Sequence, residues 1–316
     1  MHVDISFFKK IYSEDIIYHY TKASTAIDFI LFNGQLRFNA SRNSHDPIES
    51  RKARRGTVYT GTKADEVIAK ETTLDSNDLH KYISNLENQF HQICFCKNRM
   101  GESFASEYYL SEFNGHEELF GFTKLRMWNQ YADNYSGVCL AFSKEKIISK
   151  NETRIALLEE DVKYLTFREL SVAKIGDIQG NHLLNVGKEE YKKLIVEKVK
   201  QSFFLKHKDY SSENEYRIGT LFDKNKCCIE NIRGELVFDR TMMLDISDCV
   251  EAIFISSYAN DKQKSELLAY ANKLNVPIIE MRWQYNSFEP RDYKGWIEFI
   301  GKIKLEQLNK QTLKSH

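Results

Sequence analysis

Three stretches of this 316-residue chain carry polar side chains at spacings that suit chemistry. In Tyr18-His19-Tyr20-Thr21, a strand sets His19 and Thr21 on one face, because side chains alternate with a period of two. A histidine there is either a hydrogen-bonded structural residue or a positioning group. Glu213-Asn214-Glu215 places two carboxylates two residues apart. In an extended segment both face the same way, and like charges held close raise at least one proton affinity. Such a pair suits stabilisation of a positive charge or orientation of a nucleophile, with Arg217 as its neutralising partner. A solvated pair of surface carboxylates is the plain alternative. Asp46-Pro47-Ile48-Glu49 adds two carboxylates in a turn. With the glutamate pair they sketch a magnesium site, whereas Asp46 as cap and Pro47 at the first helical position read as a helix start. Trp128 and Tyr131, three apart on a helix, share a face that builds core or stacks on a ligand.

Other chemistries lack their signatures. There is no G-x-x-x-x-G-K-[ST] loop, no G-x-G-x-x-G turn and no H-E-x-x-H helix, so neither a P-loop nucleotidase nor a zinc hydrolase is expected. Six cysteines (Cys94, Cys96, Cys139, Cys227, Cys228 and Cys249) fall mostly in strand-like apolar runs and read as thiols. Their spacing does not offer two hooks for structural zinc, because residues adjacent in a strand point apart. The 45 basic residues equal the 45 acidic ones, so no global field draws the chain to nucleic acid or an anionic membrane. No apolar run reaches the length of about 18 residues that a membrane helix needs, and Met1 to Lys10 holds no signal-peptide core. The expectation is a cytoplasmic protein with no membrane partner.

The elements that must hold these residues follow from periodicity. Ile16 to Tyr20 reads as a strand. Ser24 then caps a helix with Ile27, Ile30 and Leu31 on one face, ended by Gly34, and a strand follows at Leu36 to Asn39. A helix near Leu79 to Phe90 leads into a strand at Gln92 to Cys96, and Lys97 to Lys124 reads as a long loop or lid. Leu125, Trp128 and Ala132 mark a helix, Val138 to Phe142 a strand, and Val162 to Phe167 another. A helix over Glu189 to Lys206 precedes the strand Glu215 to Phe222. Ala252 to Ser256, Asp261 to Leu274 and Val276 to Met281 predict strand, helix, strand in a parallel crossover. With three prolines, no proline-rich linker and no repeat, residues 1–316 form one domain, with 249–316 as a C-terminal extension of the same body.

Together, Tyr18-His19-Tyr20-Thr21, Asp46-Pro47 with Glu49, Ile93 to Cys96, Met127-Trp128 with Tyr131-Ala132-Asp133, Gly137-Val138-Cys139 and Glu213 to Arg217 resemble a widespread bacterial family of unknown function across nearly the whole chain. The chain departs from that pattern at Ser44-His45, at Cys96 in place of serine and at Tyr210 in place of tryptophan. More distantly, the order of parts resembles the ADP-ribosyltransferase fold, with a histidine on an early strand, a middle strand ending here in Cys96, and a late Glu-x-Glu. The resemblance implies an α+β fold with a mixed central sheet flanked by helices. It also implies NAD as co-substrate, no metal, and cleavage of the nicotinamide–ribose bond. Glu215 would then stabilise positive charge on the ribose and Glu213 would orient the acceptor. His19, Thr21, Trp128 and Arg217 would hold the cofactor, Tyr20 or Tyr131 would stack on nicotinamide, and Cys96 would support the glutamate more weakly than serine does. The acceptor would be a protein or nucleic acid, and the setting a toxin or phage-defence effector with a partner protein or antitoxin. Two other readings stay open: a non-catalytic sensing or interaction module in a defence or stress system, and a metal-dependent nuclease using Asp46, Glu49 and Glu215.

Overall fold

The computed structural model describes residues 4–41, 58–60, 62–63, 76–99, 120–172, 177–222, 228–230, 236–238, 242–284, 287–291, 298 and 301–302. Asp46, Pro47 and Glu49, most of the expected Lys97–Lys124 loop, and Cys227 lie outside the described residues.

A nine-stranded mixed sheet organises the chain. Its strands are β1 (Ile16–Thr21), β2 (Asn39–Ala40), β3 (Phe90–Lys97), β4 (Val138–Ser143), β5 (Leu158–Asp161), β6 (Glu215–Leu221), β7 (Val250–Ser256), β8 (Ile278–Gln284) and β9 (Ser287–Pro290). They lie in the order β9-β8-β7-β4-β1-β3-β6-β5, with β2 beside β3. The pair β7–β8 is parallel and joined by the helix Asp261–Leu274, which is the crossover expected from the pattern. The other pairs are antiparallel. Asn260 caps that helix by accepting from the Gln263 amide, and left-handed Asn275 ends it.

Alternation along the strands divides the core between the two faces. One face buries Ile17, Ile93, Phe95, Leu140, Phe142, Ile218 and Ile253 beneath Ala26, Ile27 and Ile30 and beneath Leu267 and Ala271 of the crossover helix. The other buries Tyr18, Tyr20, Cys96, Cys139, Ala141 and Phe254 beneath Phe8, Phe120, Phe122 and Trp128. Farther along that second face, Phe90 packs with Leu79, Tyr191, Ile195 and Phe203 from the helices Ser76–Gln89 and Lys188–Ser202. The face is therefore covered by two separate layers.

Three local expectations change. Ser24 is not the cap: the helix starts after Lys22, which makes no side-chain cap bond, and Ala23–Thr25 runs into a π-helical turn at Ala26–Leu31. The expected helix Glu189–Lys206 ends at Ser202, because Phe203 and Phe204 turn into the core and Leu205–His207 forms a strand parallel to Lys163–Leu165. The expected strand Val162–Phe167 is shortened to Lys163–Leu165, and Phe167 begins a helix. Lys206 thereby moves from a helix end into a strand.

Candidate functional site

The two glutamates do converge, but not through strand alternation. Glu213 ends a 3-10 helix (Lys208–Glu213), Asn214 takes the left-handed conformation at φ 46°, and Glu215 opens β6. The Asn214 side chain secures this turn by donating to the carbonyls of Lys97 and Asn98. Both carboxylates then meet the Lys206 ammonium, whose Nζ lies 2.7 Å from Glu213 Oε2 and 3.0 Å from Glu215 Oε2. Arg217 completes the cluster: Nε donates to Glu215 Oε1 at 2.6 Å, Nη2 to Oε2 at 3.0 Å, and Nη1 to the Phe203 carbonyl. The Glu215 amide donates to the Tyr164 hydroxyl. Glu213 is 2% exposed and Glu215 5%.

Two cations against two anions leave the cluster neutral, as a buried ionic group must be. The two acids nevertheless differ. Burial pushes the Glu213 carboxyl above its ordinary value, and the Lys206 charge only partly opposes this. Burial also acts upward on Glu215, but the adjacent Arg217 charge, its hydrogen bonds and Lys206 outweigh it and hold Glu215 well below the usual carboxylate range. Glu213 Oε1 is buried without a hydrogen-bond partner, with Arg126 Nε at 3.8 Å. The Arg126 guanidinium stacks on Tyr210 at 4.5 Å, and the Lys206 ammonium lies 4.7 Å from the same ring.

Beside this cluster the covering layer opens. On β3, Gln92 and Cys96 are buried while Cys94, between them on the same face, is exposed. The cross-strand partner of Cys94 is Arg217, and that of Cys96 is Glu215. Tyr131 is 42% exposed, and burial together with the nearby Glu213 charge raises its hydroxyl pKa. Cys94, Tyr131 and Arg126 thus give solvent-reachable thiol, phenol and guanidinium groups near the ion cluster.

His19 does not join them. Tyr18 pairs with Cys96 and Cys96 pairs with Glu215, and residues directly opposite share a face. Glu215 therefore lies on the Tyr18 face, and His19, one residue on, belongs to the other. The ladder between β1 and β3 stops at Tyr18 and Cys96, β2 takes the same edge of β3 only at His91 and Gln92, and the His19 ring fills the interval by donating from Nδ1 to the Cys94 carbonyl at 3.0 Å. Burial lowers the His19 pKa, and the hydrogen bond to the Cys94 carbonyl partly opposes this. His19 and Thr21 share a face as expected, but it is not the face of the glutamates.

A family model described as Protein of unknown function (DUF2971) matches residues 127–218. No curated protein and no solved structure matches the chain. The matched span contains Lys206, Glu213, Glu215 and Arg217 together with Trp128 and Tyr131; His19, Thr21 and the exposed Cys94 lie outside it.

Several residues expected to hold a cofactor are core. Trp128 is 0% exposed, donates from its indole to the Phe122 carbonyl, and meets Tyr20 and Phe288 edge to face, so neither ring face is open to a ligand. Tyr20 is buried and donates to the Gly121 carbonyl. Cys96 is buried, and burial pushes its thiol pKa far up, so it is a space-filling residue against Glu215. Arg217 is buried and serves Glu215. Of the expected site residues, Tyr131 reaches solvent and His19 does so partly. Lys206, expected at a helix end, is a site residue that periodicity did not single out; its signal is a lysine directly after the apolar run Phe203-Phe204-Leu205, a poor place for an unpaired charge.

Proposed function

We propose that the chain is a non-catalytic recognition module, in which the glutamate pair locks the centre of the sheet and the opening over Cys94, Tyr131 and Arg126 receives a ligand or partner. One observation carries this reading: both oxygens of Glu215 are already taken, by Arg217 and Lys206, inside the protein. A carboxylate that stabilises a developing cation must bring it unspent negative charge, and one already paired with two internal cations has little to offer. The separation of His19 from that carboxylate points the same way, since the expected positioning group sits on the other side of the sheet. The exposed phenol and guanidinium suit a planar, hydrogen-bonding group, which Tyr131 would stack on and Arg126 would donate to.

The second reading, transfer of ADP-ribose from NAD, keeps one specific support. Glu213 Oε1 has no hydrogen-bond donor and belongs to a carboxylate whose pKa burial raises. If Arg126 swings aside, that oxygen would accept a ribose hydroxyl, and Glu213 would take the role expected of Glu215. The experiment that separates the readings is incubation of the purified chain with NAD, alone and with protein, DNA or RNA acceptors, following nicotinamide release. The recognition module releases none under any condition. Nicotinamide release that disappears in Glu213→Gln or Glu215→Gln, with circular dichroism unchanged, overturns it in favour of the transferase.

A further inference from the structure

Cys94 is exposed, whereas Cys96, Cys139 and Cys249 are buried. On the same face of β3, Gln92 and Cys96 stand two residues to either side, about 7 Å away along the strand, and both are buried. The Cys94 thiol donates to the Glu215 carboxylate. Cys94 and Glu213 both act electrostatically on the Tyr131 hydroxyl, which puts the three groups around one opening. Glu213 brings an unspent acceptor to it. Its side chain is 2% exposed, Oε2 accepts from Lys206, and Oε1 has no hydrogen-bond partner. A buried carboxylate oxygen without a donor is uncommon in a folded protein and calls for one.

Arg126 covers that oxygen without bonding it. Its Nε stands 3.8 Å from Glu213 Oε1, beyond hydrogen-bond reach. Its two hydrogen bonds, from Nε to the Gln130 side chain and from Nη1 to the Asp209 carbonyl, both lie in solvent and are cheap to exchange. A carboxylate arriving from solvent replaces them with a charge-assisted contact, and Arg126 turning toward it uncovers Glu213 Oε1 for an N–H donor. The two residues thus select a molecule that carries a carboxylate and an N–H donor together, and such a zwitterion adds no net charge to the opening. The thiol beside them adds a covalent step. We propose that Cys94 is a thiolation site for small disulfides of the amino-acid type, with the carboxylate of the entering arm on Arg126 and its ammonium on Glu213 Oε1. The Cys94 S–H gives its proton to solvent, the thiolate attacks one sulfur of the disulfide, an S–S bond to Cys94 forms as the old one breaks, and the departing thiolate takes up a proton. Cys94 is oxidised and the departing half is reduced, so the disulfide is the only oxidant needed. The retained half fills the opening, so the inference rests on the recognition reading for its place and makes thiolation the event that closes that site.

The test treats the full chain at neutral pH with cystine, whose arms carry both groups, and with cystamine, dithiodiglycolate and hydroxyethyl disulfide, whose arms carry only the ammonium, only the carboxylate and neither. Thiolation of the peptide containing Cys94 is followed by mass spectrometry, and each rate is divided by that of the same disulfide on the urea-unfolded chain, so that intrinsic reactivity cancels. Cystine then exceeds cystamine and dithiodiglycolate by about tenfold, the worth of one charge-assisted hydrogen bond, and hydroxyethyl disulfide by more. Arg126→Gln, at a partly exposed residue, brings cystine down to the level of cystamine, and Glu213→Gln brings it down to that of dithiodiglycolate. Native Cys94 that reacts with iodoacetamide but takes cystine no faster than hydroxyethyl disulfide overturns this assignment alone, as does a cystine preference that survives Arg126→Gln with circular dichroism unchanged. Native Cys94 closed to iodoacetamide as well overturns both this assignment and the opening that the recognition reading needs.

Discussion

Replacing Lys206 with methionine is the sharpest probe of the ion lock. The stem volume is nearly kept, so packing against Tyr210 changes little and the charge is what is lost. Glu215 retains its paired contacts with Arg217. Glu213, 2% exposed, loses its 2.7 Å contact and keeps only Arg126 at 3.8 Å. Removing one partner from a buried ion cluster costs about 3–5 kcal/mol, mostly the penalty of the charge left behind. At about 2 °C per kcal/mol for a chain of this length, Tm falls by about 6–10 °C. The pH dependence identifies the orphaned group. Glu213 already has a folded pKa above its unfolded value, so its contribution is fully present at low pH and is lost as pH rises through the folded pKa. Without Lys206 that pKa climbs further, so the deficit relative to the unsubstituted chain is largest near pH 8 and shrinks toward pH 5. Adding Glu213→Gln removes the orphaned charge and recovers at least half of the loss. Urea denaturation of the single and double variants at both pH values measures all three quantities. A deficit under about 1 kcal/mol, or one that is equal at pH 5 and pH 8, refutes the claim that Lys206 compensates a buried carboxylate.

Other consequences are simpler to read. Cys94 is exposed while Cys96 and Cys139 are buried with thiol pKa values pushed up, so iodoacetamide followed by peptide mass mapping labels Cys94 first among these three and the others only after unfolding. Simultaneous labelling of all three in the native chain contradicts the closed layer over the sheet. Gly137→Ala places a Cβ 2.4 Å from the Thr21 carbonyl oxygen and 2.8 Å from the Ala132 backbone. Backbone lines both sides, so the variant loses about 1–3 kcal/mol in urea denaturation. Asn151, 0% exposed, donates to the carbonyls of Ile147 and Asp245 and accepts from the Asp245 amide. Asn151→Leu strands those groups and lowers stability by about 2–3 kcal/mol in the same assay, and an unchanged midpoint would show that they find new partners.

What depends on neighbours along the chain was legible before any tertiary contact was known. Short runs of β-branched, aromatic and other apolar residues marked β1, β3, β4, β6 and β7, and the apolar spacing of Asp261 to Leu274 marked that helix and its parallel return. Gly34 ended its helix with a positive φ, a local property of a residue without Cβ. Cys94, Cys96, Cys139 and Cys249 stand as thiols outside any disulfide, as their apolar strand-like settings implied, and among the described residues no helix is long and apolar enough to cross a membrane. What only the tertiary structure decided is which strands lie side by side and in which register. The pairings Tyr18 with Cys96 and Cys96 with Glu215 set the glutamates on one face and His19 on the other, and a slip of one residue in either would have joined them. Lys206 became the partner of Glu213 and Glu215 because Phe203 and Phe204 were buried against Phe90, ending a helix that periodicity would have continued. The left-handed turn at Asn214 then brought two carboxylates to one ammonium, through backbone geometry held by carbonyls more than a hundred residues away along the chain.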